Sequence, residues 1–192
     1  MSHAVLASPS FHRLLLEIDR DLAAETRAGR CRACGGRLDS ARYRRKPRGG
    51  PPGLPDEHDR RFSFCCAVEG CRTRHTSPSV RFLGRRVWFG PVVVLAAALQ
   101  HGPSPRRLTQ LREWLEVSER TLRRWRTWWL ERFARCSFWR GRSGLFATPV
   151  DHLRLPASLL ERFGGAAADR LVSMLRFLSP VSVGSARHEL AF

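Results

Sequence analysis

Six cysteines carry the most specific chemistry in this sequence: Cys31, Cys34, Cys65, Cys66, Cys71 and Cys136. Cys31-Arg32-Ala33-Cys34-Gly35-Gly36 is a C-x-x-C followed by glycine. Two thiolates at that spacing reach one ion from a single tight turn. The glycine supplies the positive φ that turns backbone N–H groups toward the sulfurs. The second half is Cys65-Cys66-Ala67-Val68-Glu69-Gly70-Cys71, where Cys66 and Cys71 are separated by four residues with glycine beside the last. The two pairs form the layout of a four-cysteine zinc ribbon, each pair expected at the tip of a β-hairpin, with Zn²⁺ in a structural role. Cys65 and Cys66 compete for one ligand place. Period two puts Phe62, Phe64 and Cys66 on one strand face, which favours Cys66 and keeps Cys65 as the alternative.

Other uses of the thiols are weaker. Disulfides need an oxidising compartment, and the N-terminus has no basic region followed by an apolar stretch and a cleavage site. A thioredoxin-like redox pair needs a βαβ context that the pattern lacks. His58 or His75 replacing one cysteine as ligand stays open. A four-thiolate site is closed, so it supports folding and not catalysis. Cys136 falls on an expected helix and reads as a small buried side chain.

The second constellation lies between Arg106 and Trp129. A helix is expected from Ser104-Pro105 to about Leu115, a turn ends at the cap Ser118, and a further helix runs from Glu119 to about Phe133. Val117, Leu122, Trp125 and Trp129 follow helical spacing and would pack inward. Arg120, Arg123, Arg124 and Thr127 then face outward, as base-reading residues do on a recognition helix in the major groove. Arginine reaches guanine O6 and N7 together, and other arginines hold phosphates. Arg106, Arg107, Arg72, Arg74, Arg85 and Arg86 are the further candidates for DNA contact. The stripe Trp125, Trp128, Trp129 reads as core and not as a base-stacking platform.

The chain has 34 Lys and Arg against 17 Asp and Glu, a formal charge of +17, and Lys46 is the single lysine. The excess is local: residues 30–90 carry +10 and residues 91–142 carry +7, while 1–29 carry −1 and 143–192 carry +1. Codon bias toward arginine would have reached both ends. A basic surface confined to the two motif regions points to a polyanion. The longest apolar run, Trp88 to Leu99, spans about 12 residues where roughly 20 are needed to cross a membrane.

The elements that must position these residues can be read in order. An amphipathic helix is expected over 11–28, started by Ser8-Pro9-Ser10 and stopped by Gly29, in a first unit 1–29. Residues 30–88 form the ribbon, with strands at Arg37–Lys46, Arg60–Cys66 and Val80–Trp88 and a Pro/Gly-rich insert at 47–55. Residues 89–140 form a trihelical helix-turn-helix unit that begins with a helix over Pro91–Gln100. Residues 141–180 hold a helical pair, Pro156–Phe163 and Ala167–Leu178, and 181–192 is a tail. The fold class is α+β, mainly helical, with a small β ribbon followed by the trihelical unit and flanking helices at both termini.

Cys31-Arg-Ala-Cys34-Gly, Phe64-Cys-Cys66, Cys71-Arg-Thr-Arg74 and Ser118-Glu-Arg-Thr-Leu-Arg-Arg-Trp125 follow one another in an order that resembles the N-terminal region of bacterial insertion-sequence transposases and their stand-alone DNA-binding regulators. The resemblance covers about half the chain. It implies sequence-specific binding of double-stranded DNA, a cytoplasmic, nucleoid-associated protein, and a separately encoded recombinase or transposase as partner. A homodimer stays open. Such transposases continue into an RNase H-like domain with catalytic carboxylates. Here Asp151, Glu161, Asp169 and Glu189 are the only acidic residues after the helix-turn-helix, so a two-metal acidic site is not expected. No nucleophile–base pair or phosphate loop is evident, and the chain is not expected to be an enzyme. Two alternatives stand beside DNA binding. One is a protein-interaction module docking through Leu14–Leu22 and Leu171–Leu178. The other is an RNA-binding zinc-ribbon protein.

Overall fold

The first long element is α2 (Pro9–Ala28), preceded by the short α1 (Ser2–Leu6). Ser8 caps α2, its Oγ accepting from the Phe11 amide at 3.3 Å, and Pro9 fills the first turn where an N–H has no partner. The structure, a computed structural model, describes residues 2–45, 47–83, 88–98, 109 and 117–183. The fold is α+β, with helices around a small antiparallel sheet.

Strands β1 (Leu38–Ser40), β4 (Ser63–Cys66) and β5 (Arg74–Thr76) form an antiparallel sheet in the order β1-β4-β5. The register sets Leu38 against Cys66, and Phe64 against both Ser40 and His75. Strands β2 (Tyr43–Arg44) and β3 (Arg60–Arg61) form a two-stranded ladder beside it. The long strand expected over Arg37–Lys46 is therefore two short ones. The strand expected over Val80–Trp88 is not found among its described residues. Val80–Leu83 run without strand pairing, Trp88 makes one isolated bridge to Arg48, and 84–87 lie outside the described residues.

The reason is a buried ion pair. Asp19, on α2, accepts from the Ser79 hydroxyl at 2.5 Å, the Val80 amide at 2.7 Å and Arg81 Nε at 2.8 Å. Arg81 in turn donates to the carbonyls of His58 at 2.7 Å and Arg60 at 2.9 Å. Both side chains are fully buried, and the carboxylate holds this backbone in place of a neighbouring strand.

Helix α2 serves two apolar clusters. Leu16 and Ala23 join Cys31, Leu38, Phe62, Phe64 and Cys66 beneath the sheet. Phe11, Leu15 and Ile18 join the larger core. At its centre is α3 (Gly90–Ala98), whose residues Gly90 to Ala97 are all buried. The 47–55 segment packs on this helix: Gly49 has φ +82, and a Cβ there would lie 2.8 Å from Val92 Cγ2.

Helix α4 (Glu119–Thr127) is capped by Ser118 and continues into a π-helical turn, Trp128–Arg132, and a 3-10 turn, Phe133–Arg135. The expected α-helix to Phe133 thus changes pitch at Trp128. There the rings of Trp128, Trp129 and Phe133 meet at centroid distances of 4.7–5.6 Å. Helices α5 (Ser137–Arg142), α6 (Ala157–Leu160) and α7 (Ala167–Leu178) close the core with Trp139, Leu159, Leu171, Met174, Leu175 and Leu178. Val181 and Ser182, expected in a tail, are buried: Ser182 Oγ accepts from the Ser79 amide at 2.9 Å and from Arg61 at 3.0 Å. The helix expected over 104–115 lies outside the described residues apart from Thr109.

Candidate metal centre

Cys31, Cys34, Cys66 and Cys71 bring their sulfurs within 4.8 Å of one another. Cys34 and Cys66 have sulfurs 3.4 Å apart, and Cys31 and Cys71 3.7 Å apart. All six cysteines are free thiols. A tetrahedral ion bound at about 2.3 Å needs sulfurs about 3.8 Å apart, so the set fits a thiophilic metal.

Two turns aim the sulfurs. The first joins the end of α2 to β1, so it is not the hairpin tip the spacing predicts; helix α2 ends at Ala28 with Gly29 as its C-cap, two residues before Cys31. The Gly35 amide donates to the Cys31 carbonyl at 2.8 Å with Gly35 at φ +71. Gly36 then passes so close to the sulfurs that a Cβ would lie 3.1 Å from Cys66 Sγ and 3.3 Å from Cys34 Sγ. The second turn joins β4 to β5 and is a hairpin. Its Val68 amide donates to Cys66 Sγ at 3.4 Å.

Cys66 is completely buried on the strand face it shares with Phe62 and Phe64. Cys65 points the other way and donates its thiol to the Arg72 carbonyl at 3.3 Å. His75 is not in the four-sulfur set; its Nε2 lies 3.3 Å from Cys31 Sγ, where a neutral ring can donate to a thiolate. His58 sits elsewhere, buried, donating Nδ1–H to the Pro55 carbonyl at 3.2 Å.

Four thiols this close cannot all ionise without a cation between them. The Thr73 hydroxyl, followed by the Thr73 amide, holds Cys71 down at about 6. At Cys66 the Val68 amide pulls the same way, but burial and the neighbouring thiols outweigh it and push the group up to about 12. A divalent ion would remove that conflict.

The rest of the expected site divides in two. Arg120, Arg123, Arg124 and Thr127 are all exposed on α4, while Leu122 and Trp125 behind them are buried. Arg123 pairs with Glu119 at 2.5 Å across one turn. Arg72 and Arg74 are exposed beside the cysteine cluster. Arg85, Arg86, Arg106 and Arg107 lie outside the described residues. The basic surface also extends further than expected: Arg126, Arg132, Arg135, Arg140 and Arg142 are exposed beyond the four residues singled out on α4. Their place in the charge excess was the available signal. The terminal helices expected to dock a partner turn Leu15, Ile18, Leu171, Met174 and Leu175 into the core. Among the described residues no helix is long and apolar enough to cross a membrane.

The chain matches no protein-family model, no curated protein and no solved structure.

Proposed function

We propose that this chain is a zinc-dependent, sequence-specific double-stranded DNA-binding protein serving a mobile element, as an accessory or regulator. The observation that carries the reading is the exposed face of Arg120, Arg123, Arg124 and Thr127 on a Ser118-capped helix. Leu122, Trp125 and Trp129 fix that helix from behind, so the arginines are presented from a rigid element. The +17 charge, concentrated in residues 30–142, supplies the attraction to a phosphate backbone.

In this reading Arg120, Arg123 and Arg124 contact base edges or the phosphates flanking them, with Thr127 on the same face. Zn²⁺ would be held by Cys31, Cys34, Cys66 and Cys71, in a closed site of four thiolates. It would link the end of α2 to the β4–β5 hairpin and neutralise the thiolates. No other ligand position is needed for that role.

The test is binding of the zinc-loaded chain to mixed-sequence duplex DNA by fluorescence anisotropy across a salt series. The expected result is tight binding at low salt that weakens steeply, with log K linear in log salt. Absence of binding to any duplex at low salt would remove the proposal. A clear preference for single-stranded RNA would replace it with the RNA-binding alternative.

A further inference from the structure

Each cysteine turn needs residues in the left-handed region, where a side chain is strained. Two such places are glycine, Gly35 at φ +71 and Gly70 at φ +84. Two others are arginine: Arg30 at φ +56, immediately before Cys31, and Arg72 at φ +42, immediately after Cys71. They are the only non-glycine residues with positive φ among the described residues. Glycine would adopt either conformation without strain. The chain instead keeps a long cationic side chain at both.

The two arginines flank neighbouring members of the four-sulfur cluster. Cys31 and Cys71, their direct neighbours in sequence, have sulfurs 3.7 Å apart. Both arginines are exposed, and neither forms an ion pair among the described residues. Arg32 and Arg74, also exposed and outside any described ion pair, add to the charge around the same end of the sheet. Strained backbone at an exposed side chain with no described ion pair or hydrogen bond points to a use outside the fold.

We infer that Arg30 and Arg72 form a clamp on a backbone phosphate of duplex DNA, brought together by the Cys31–Cys71 edge of the metal centre. This rests on the DNA-binding reading and gives it a second contact point, away from α4. The fork of each guanidinium suits two phosphate oxygens, and a closed metal centre would fix the backbone from which both side chains reach. The metal centre would then position the clamp as well as stabilise the fold.

The clamp separates from stability in an unusual direction, because glycine relieves the strain while deleting the contact. The experiment compares the zinc-loaded wild-type chain with the double variants Arg30→Gly/Arg72→Gly and Arg30→Lys/Arg72→Lys. Each is measured for zinc content, melting temperature and duplex affinity across a salt series. In the glycine variant the expected results are full zinc content, an unchanged or higher melting temperature, and about tenfold weaker duplex binding. The slope of log K against log salt should fall by about 1.8 as two phosphate contacts are lost. The lysine variant should keep most of the slope. Unchanged affinity and slope in the glycine variant would overturn the clamp. So would lost zinc content in that variant, since the arginines would then serve the metal. If the wild-type chain itself binds no duplex, the underlying reading fails before the variants are compared.

Discussion

Cys65→Ser and Cys66→Ser are neighbouring, chemically identical changes with sharply different expected costs. Cys66 is fully buried and its sulfur lies 3.4 Å from Cys34 Sγ within the four-sulfur set. A structural zinc site contributes about 10–16 kcal/mol of folding free energy. Shared over four thiolates, that is about 3 kcal/mol per sulfur, or roughly a hundredfold in metal affinity. Serine in place of Cys66 supplies a hard, weakly acidic oxygen at a position where burial cannot be relieved by water. Cys65 has a different fate. Its thiol donates to the Arg72 carbonyl at 3.3 Å, and a serine hydroxyl keeps that donor. The expected cost is within about 0.5 kcal/mol. The assay is competition for zinc with a chromophoric chelator, paired with thermal melts at matched free zinc. Cys66→Ser should release zinc at about a hundredfold lower chelator strength, and Cys65→Ser should follow wild type. Equal losses from the two variants, or a larger loss from Cys65→Ser, would refute the assignment of the fourth ligand.

Three further outcomes follow from the geometry. Asp19→Ala leaves Arg81 as an unpaired buried cation and should destabilise the fold by about 3–5 kcal/mol in chemical denaturation, whereas Asp19→Leu/Arg81→Met should recover part of that loss. His12 is buried, donates Nε2–H to the Leu6 carbonyl at 2.9 Å, and is held below its ordinary 6.5 first by burial. His58 is lowered for the same leading reason. Both therefore stay neutral in the fold while the unfolded chain takes up protons below 6.5. Stability is full above that pH and falls as pH drops through 6.5 toward the lowered values. A melting temperature that stays flat between pH 7 and 5 at constant zinc content would contradict this. Gly36→Val forces a branched side chain into a space where even a Cβ lies 2.4 Å from Val68 Cγ2 and 3.1 Å from Cys66 Sγ, so zinc affinity should drop well below wild type while the α-helical circular dichroism signal persists.

The four-cysteine cluster was legible because the spacing within each cysteine pair is a local property. Two short turns and period two along β4 were enough to select Cys31, Cys34, Cys66 and Cys71. Helix α7 was legible to the residue, since Gly164-Gly165 and Pro180 bracket its apolar stripe. Strand β5 was not, because Arg-His-Thr has no apolar alternation and becomes a strand only by pairing with β4. The alternation of Val80 and Phe82 suggested a strand. In the fold those side chains enter the main core while Asp19, 61 residues earlier, takes the Val80 amide. That contact has no local signature. Neither does the change of pitch at Trp128, which sits where three aromatic rings meet. The outward face of α4 could be read from spacing alone, because Leu122, Trp125 and Trp129 fix the opposite side.

The most direct measurement is selection of bound duplexes from a random-sequence pool by the zinc-loaded full chain, repeated with Arg120→Ala/Arg123→Ala/Arg124→Ala. The proposal predicts that one short sequence motif is enriched by the wild-type chain and that the triple variant loses the enrichment while keeping its zinc and its fold. Retention of duplexes with no common motif, or the same motif from the triple variant, would contradict it.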